Sequence, residues 1–80
     1  MESTIREVLV KHGKLGKDAM TIGTDEDLFA LGLTSHASVT VMIALEVACD
    51  VEFPGELLTK TTFSSINNIA DAIDGLRAAA

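Results

Sequence analysis

The chain has 80 residues, 48% of them hydrophobic, with three Phe, no Trp and no Tyr, so one small aliphatic core is expected, which favours packed helices over a sheet. Twelve acids stand against six bases, a formal net charge of −6 that repels a phosphate backbone and argues against nucleic-acid binding. A single Cys excludes an intrachain disulfide, and no leader pattern or bilayer-length apolar run is present, so a cytoplasmic protein without membrane attachment is expected.

The first periodic segment runs from about Thr4 to Leu15. Thr4 and Glu7 have capping-box spacing, Ile5, Val8 and Leu9 form a helical stripe, and Gly13 and Gly16 mark possible ends. From Lys17 to Thr34 the glycines and Asp25, Glu26 and Asp27 oppose a continuous helix, and the acids read as a solvated turn that caps the next few residues. Met20, Ile22, Leu28, Phe29, Leu31 and Leu33 are expected to fold this long loop back over the core. A second helix is expected from Ser35 to Cys49, broken by Asp50 to Gly55 and the single Pro54. A short helical turn is expected over Glu56 to Lys60. The last helix, capped near Thr62 or Ser64, carries Phe63, Ile66, Ile69, Ala70, Ile73 and Leu76 at the 3.6-residue period. An alanine tail, Ala78 to Ala80, is expected to fray. The fold class is all-α, a small bundle of three main helices plus one short helix in a single domain, residues 1–80.

The second helix carries two apolar stripes. At about 100° per residue, Val41, Met42, Leu45 and Cys49 fall on one side. His36, Val39, Ile43 and Val47 fall almost opposite, with Glu46 on a flank. One stripe suffices to dock a helix on a core. The second means either a central helix buried on both sides or a surface for a partner. Burial of both Val39 and Ile43 would remove the second possibility.

Ser35 follows Gly32-Leu33-Thr34 at the expected helix start, where unpaired amides and the positive end of the helix dipole favour a phosphate. A plain N-cap is the other reading of such a serine. Cys49 lies on the core stripe and reads as a buried structural thiol. His12 and His36 have no companions at metal-ligand spacing. Ser38 sits beside the core stripe, and Ser64 and Ser65 lack the glycine before and the apolar face after. No nucleophile–base pair, Gly-rich phosphate loop or metal cluster suggests an enzyme.

The run Leu31-Gly32-Leu33-Thr34-Ser35-His36, followed by Val39 and by Met42-Ile43-Ala44-Leu45-Glu46, resembles the attachment-site segment of acyl carrier proteins. Asp50-Val51-Glu52-Phe53-Pro54 is similar to the family's stretch before its short third helix, and Thr61-Thr62-Phe63 to its lead into the last helix. The resemblance covers nearly the whole chain. It implies that Ser35 bears 4′-phosphopantetheine through a phosphodiester and that the arm's thiol holds cargo as a thioester. It also implies a phosphopantetheinyl transferase, an acyl- or aminoacyl-activating ligase and downstream acyl-transfer enzymes as partners of a free-standing monomer. Thr34 stands where the family usually has Asp, and His36 where it usually has Leu. Ala37, Thr40 and Val47 stand at typical acidic places, leaving Glu46 and Asp50. Recognition by a general transferase is therefore open, and partners are expected to dock more by apolar contact than by charge. The expected partner surface is Thr34, His36, Val39, Ile43, Glu46 and Val47. These departures point to a specialised aminoacyl or short acyl carrier; bulk fatty-acid synthesis is the alternative cargo, and an unmodified helical interaction domain the alternative function.

Overall fold

A computed structural model describes residues 1–79; Ala80, the end of the alanine tail, lies outside them. The helices are α1, Glu2–Val8, α2, Ser35–Cys49, and α3, Ile66–Ala79. A π turn, Leu9–Gly13, extends α1, and the expected short helix is a 3₁₀ turn over Gly55–Leu57. The all-α class and the three main helices match expectation, while the short helix falls a little earlier in the chain. Ala78 and Ala79, expected to fray, continue α3.

The capping box at Thr4 and Glu7 does not form, because α1 starts earlier. Met1 O accepts from Ile5 N at 3.1 Å, and Glu2 in the first turn pairs with Arg6 at 2.8 Å. An acid at a helix start and an i,i+4 ion pair both favour this earlier start. Thr4 is left inside the helix. The helix ends when Lys14, and neither glycine, takes the left-handed conformation at φ 53°.

The long loop is tied down from both sides. Arg6 donates from Nη1 to the carbonyls of Ala19 (2.9 Å) and Ile22 (2.7 Å), and Leu28 N donates to Ser64 O at 2.7 Å. Ile22, Leu28 and Leu33 are buried as expected, and Ala19 is buried with them; Met20 is exposed. The acids cap turns: Gly23 N donates to Glu26 Oε2 at 2.7 Å and Phe29 N to Asp27 Oδ1 at 3.0 Å. At Gly32 the chain turns into α2 with φ 114°, a conformation that strains any side chain.

α2 has its expected bounds and ends at Asp50, φ 53°. Asp tolerates this left-handed position because its short polar side chain can bond locally. α3 is capped one residue later than expected, by Ser65, whose hydroxyl accepts from Asn68 N at 3.1 Å. Ser64 donates to Thr61 O at 2.8 Å. All three helices and the loop share one core around Ile5, Leu9, Leu28, Val41, Leu45, Ile66, Ile69 and Ile73. Each such side chain contributes about 1.5–3 kcal/mol by leaving water. Phe53 and Phe63 close one side of this core with ring centroids 5.6 Å apart. Cys49 is buried beside Met1, Sγ to Sδ 3.9 Å, in the structural role expected of it. Among the described residues no helix is long and apolar enough to cross a membrane.

Candidate functional site

The site is built around the first turn of α2. Thr34, and not Ser35, is the N-cap: its backbone is extended and its Oγ1 accepts from Ala37 N at 3.0 Å. That leaves Ser35 as the first helical residue, exposed, with no hydrogen bond to its hydroxyl among the described residues. Thr34 thus supplies the capping oxygen that an Asp would, without the charge. Removing it in Thr34→Ala is expected to cost about 0.5–2 kcal/mol. Thermal unfolding checks this: the midpoint falls for Thr34→Ala and is kept by Thr34→Asp.

Ser38, one turn further along α2, and Ser64 and Ser65, just before α3, are engaged or hidden. Ser38 Oγ donates to Ser35 O at 2.7 Å, Ser64 is bonded to Thr61, and Ser65 is buried in its cap. Bonding at the Ser35 oxygen therefore breaks no contact of the fold. The helix start leaves the amides of Ser35 and His36 without intrahelical acceptors, which suits a phosphodiester at this place. An apolar groove of about 180 Å³ opens beside Ser35, between Ser38 and Val39 on one wall and Leu58, Thr59 and Phe63 on the other. Lys60 Nζ stands 5.1 Å from the Phe29 ring centroid at its edge. The residues present thus fit a phosphate-linked arm: an unengaged hydroxyl, free amides and adjacent apolar space.

The second stripe of α2 faces outward. Val39 is 48% exposed, Ile43 52% and Val47 80%, so burial on both sides is excluded. His36 is exposed. The opposite stripe, Val41, Leu45 and Cys49, is buried. Glu46, half-buried on the flank, accepts from Phe53 N through Oε2 at 2.8 Å and holds the loop after α2. Sequence reasoning did not find Phe29, Leu58, Lys60 and Phe63 as groove residues, since they meet Ser35 only through the fold.

Residues 4–73 match the phosphopantetheine attachment site family. The chain belongs to this family, the acyl carrier proteins. It is therefore a carrier whose covalent cofactor is 4′-phosphopantetheine, in a carrier family and not a catalytic one. It is 46% identical to the aminoacyl carrier protein of Agrobacterium fabrum, over 99% of this chain and 100% of that one. Among solved structures it is similar to a chain in the complex of an engineered Bradyrhizobium japonicum glycine:[carrier protein] ligase with carrier protein from Agrobacterium tumefaciens and AMP. That match has a TM-score of 0.88 and 46% identity, and covers 92% of this carrier and 99% of the other chain. A solution structure from Agrobacterium tumefaciens matches with a TM-score of 0.77 and 43% identity over 100% of both chains.

Proposed function

We propose that this carrier holds an aminoacyl group as a thioester, on an arm attached to Ser35, and presents it from α2 to partner enzymes. When bound, 4′-phosphopantetheine supplies a flexible tether ending in a thiol that activates the carried group. The chain's own residues do the rest. Thr34 fixes the start of α2, Gly32 turns the backbone so that Ser35 faces outward, and the core holds both in place. Val39, Ile43 and Val47, with His36, offer the surface on which partners dock, and Thr34 lies at its edge.

The observation that carries the cargo reading is the end-to-end 46% identity to an aminoacyl carrier protein. Support for Ser35 comes from its exposure, its unengaged hydroxyl and its place within the matched span. The partners on this reading are a phosphopantetheinyl transferase, an amino acid:[carrier protein] ligase and acyl-transfer enzymes downstream, acting on a cytoplasmic monomer without activity of its own.

Loading tests the cargo. The holo-carrier incubated with the Bradyrhizobium japonicum glycine:[carrier protein] ligase, ATP and glycine is expected to gain one glycyl residue by intact mass. The gain should be released by hydroxylamine, as a thioester is. Failure to charge with any amino acid across a panel of such ligases, alongside efficient charging with fatty acids by an acyl-activating ligase, would reverse the assignment.

A further inference from the structure

A second groove, lined by the neighbours of Ser35, Thr34 and His36, has a different character. It lies between the π turn and the start of α2 and measures about 330 Å³. Lys11, His12 and Lys14 form one wall, and Thr34, His36, Ala37 and Thr40 the other. This chain has twelve acids and only six Lys and Arg, yet the groove holds two of those six, both histidines and no acid. Neither lysine has an ion-pair partner among the described residues. Glu7, one turn before Lys11, makes no such pair with it. Lys14 projects from the left-handed residue that ends the π turn, so the local backbone fixes where its side chain leaves the wall.

We infer that this groove docks the carboxylate-bearing rim of the partner enzyme whose apolar centre meets Val39, Ile43 and Val47. His36 belongs to both features, so the cationic groove and the apolar stripe form one continuous surface at the attachment end of α2. An apolar centre with a charged rim is the usual anatomy of a transient interface. The charge supplies orientation and rate of encounter, and the apolar contact holds the complex. Carboxylates on the partner complement Lys11 and Lys14, while the negative remainder of this chain repels misplaced approach. The inference rests on the stripe being the docking centre, and its test separates the two.

The measurement is the Kd of the holo-carrier for the Bradyrhizobium japonicum glycine:[carrier protein] ligase, at low salt and after raising salt about tenfold. Three carriers are compared: the wild type, Lys11→Glu/Lys14→Glu and Val39→Asp/Ile43→Asp. These positions are exposed, and far-ultraviolet circular dichroism verifies the fold of each variant. The wild type is expected to weaken as salt screens the rim. The lysine variant is expected to bind about tenfold or more weakly at low salt and to lose that salt dependence. Wild-type affinity in the lysine variant overturns the groove assignment. If the valine–isoleucine variant binds normally while the lysine variant does not, the stripe fails as docking centre and the groove stands alone. Competition by inorganic phosphate beyond that of chloride at equal ionic strength identifies a phosphate site and also overturns the assignment. No binding by the wild type overturns both.

Discussion

Replacing Ser35 by Ala is expected to abolish phosphopantetheine loading while leaving the fold unchanged. Incubation with coenzyme A and a phosphopantetheinyl transferase should add one phosphopantetheine to the wild type and nothing to Ser35→Ala, as read by intact mass. The expectation is strong because of what Ser35 does not do. The cap oxygen of α2 comes from Thr34, which accepts from Ala37 N at 3.0 Å. Ser38 bonds to the Ser35 carbonyl, which the alanine variant keeps. The exposed hydroxyl holds no other contact, and Ala has the better helix propensity. Stability should therefore be equal or slightly higher, and total loss of loading cannot be ascribed to unfolding. Ser38→Ala, by contrast, should load normally. Loading that survives Ser35→Ala would move the attachment point.

The largest effect on stability is expected at Leu28. Its side chain is fully buried in the middle of a long loop, its N–H donates to Ser64 O at 2.7 Å and its carbonyl accepts from Leu33 N at 3.0 Å. It pins the loop to the segment leading into α3 and sits only a few residues before Ser35. Leu28→Ala removes apolar burial and leaves a cavity, a change that costs about 2–5 kcal/mol. A domain of this size has a total stability of only about 4–12 kcal/mol. Denaturant titration should show a large fall in the midpoint with little change in slope. Phosphopantetheine loading near the unfolding temperature should fail first in this variant, because the loop carries the turn at Gly32. A loss below about 1 kcal/mol would mean that the loop is not part of the cooperative core.

Much of the fold was legible in the residues. α2 was readable to its ends because a glycine, a capping residue and the break at Asp50 coincide with an apolar period. The outward stripe was visible as an alternative, and exposure at Val39 and Ile43 decided it. The start of α1 was not legible. A capping box at Thr4 and Glu7 is a local pattern, and the acid at Glu2 with its pair to Arg6 outweighed it. Cap identity at α3 was similarly misplaced, since Thr62, Ser64 and Ser65 all offer hydroxyls and only tertiary packing selects one. Arg6 as the clasp of the loop had no signature, because its acceptors are carbonyls that every residue carries. That Glu46 holds Phe53 N had no signature either, because its donor is a backbone amide.

The two grooves were beyond the sequence for the same reason. Lys60 and Phe63 meet Ser35 from a segment some way down the chain, and Lys11 and Lys14 meet Thr34 and His36 from the segment before the loop. Each groove exists only once segments distant in the chain pack side by side. On the proposed reading, partners dock on an apolar stripe with a basic groove at its edge. The exposed face of α2 is apolar, and the charge beside it is basic in a protein that is acidic as a whole. A partner tuned to this surface presents the opposite pattern to one that seeks an acidic helix. If the proposed surface is the docking site, such a difference would separate carriers without any change in the attachment chemistry.

The central claim is that the arm is carried at the first helical residue of α2. Fragmentation mass spectrometry of peptides from the wild-type holo-carrier tests it most directly. The account predicts a single phosphopantetheine located on Ser35. A modification placed on Ser38, Ser64 or Ser65, or the absence of any modification after incubation with transferase and coenzyme A, would contradict it.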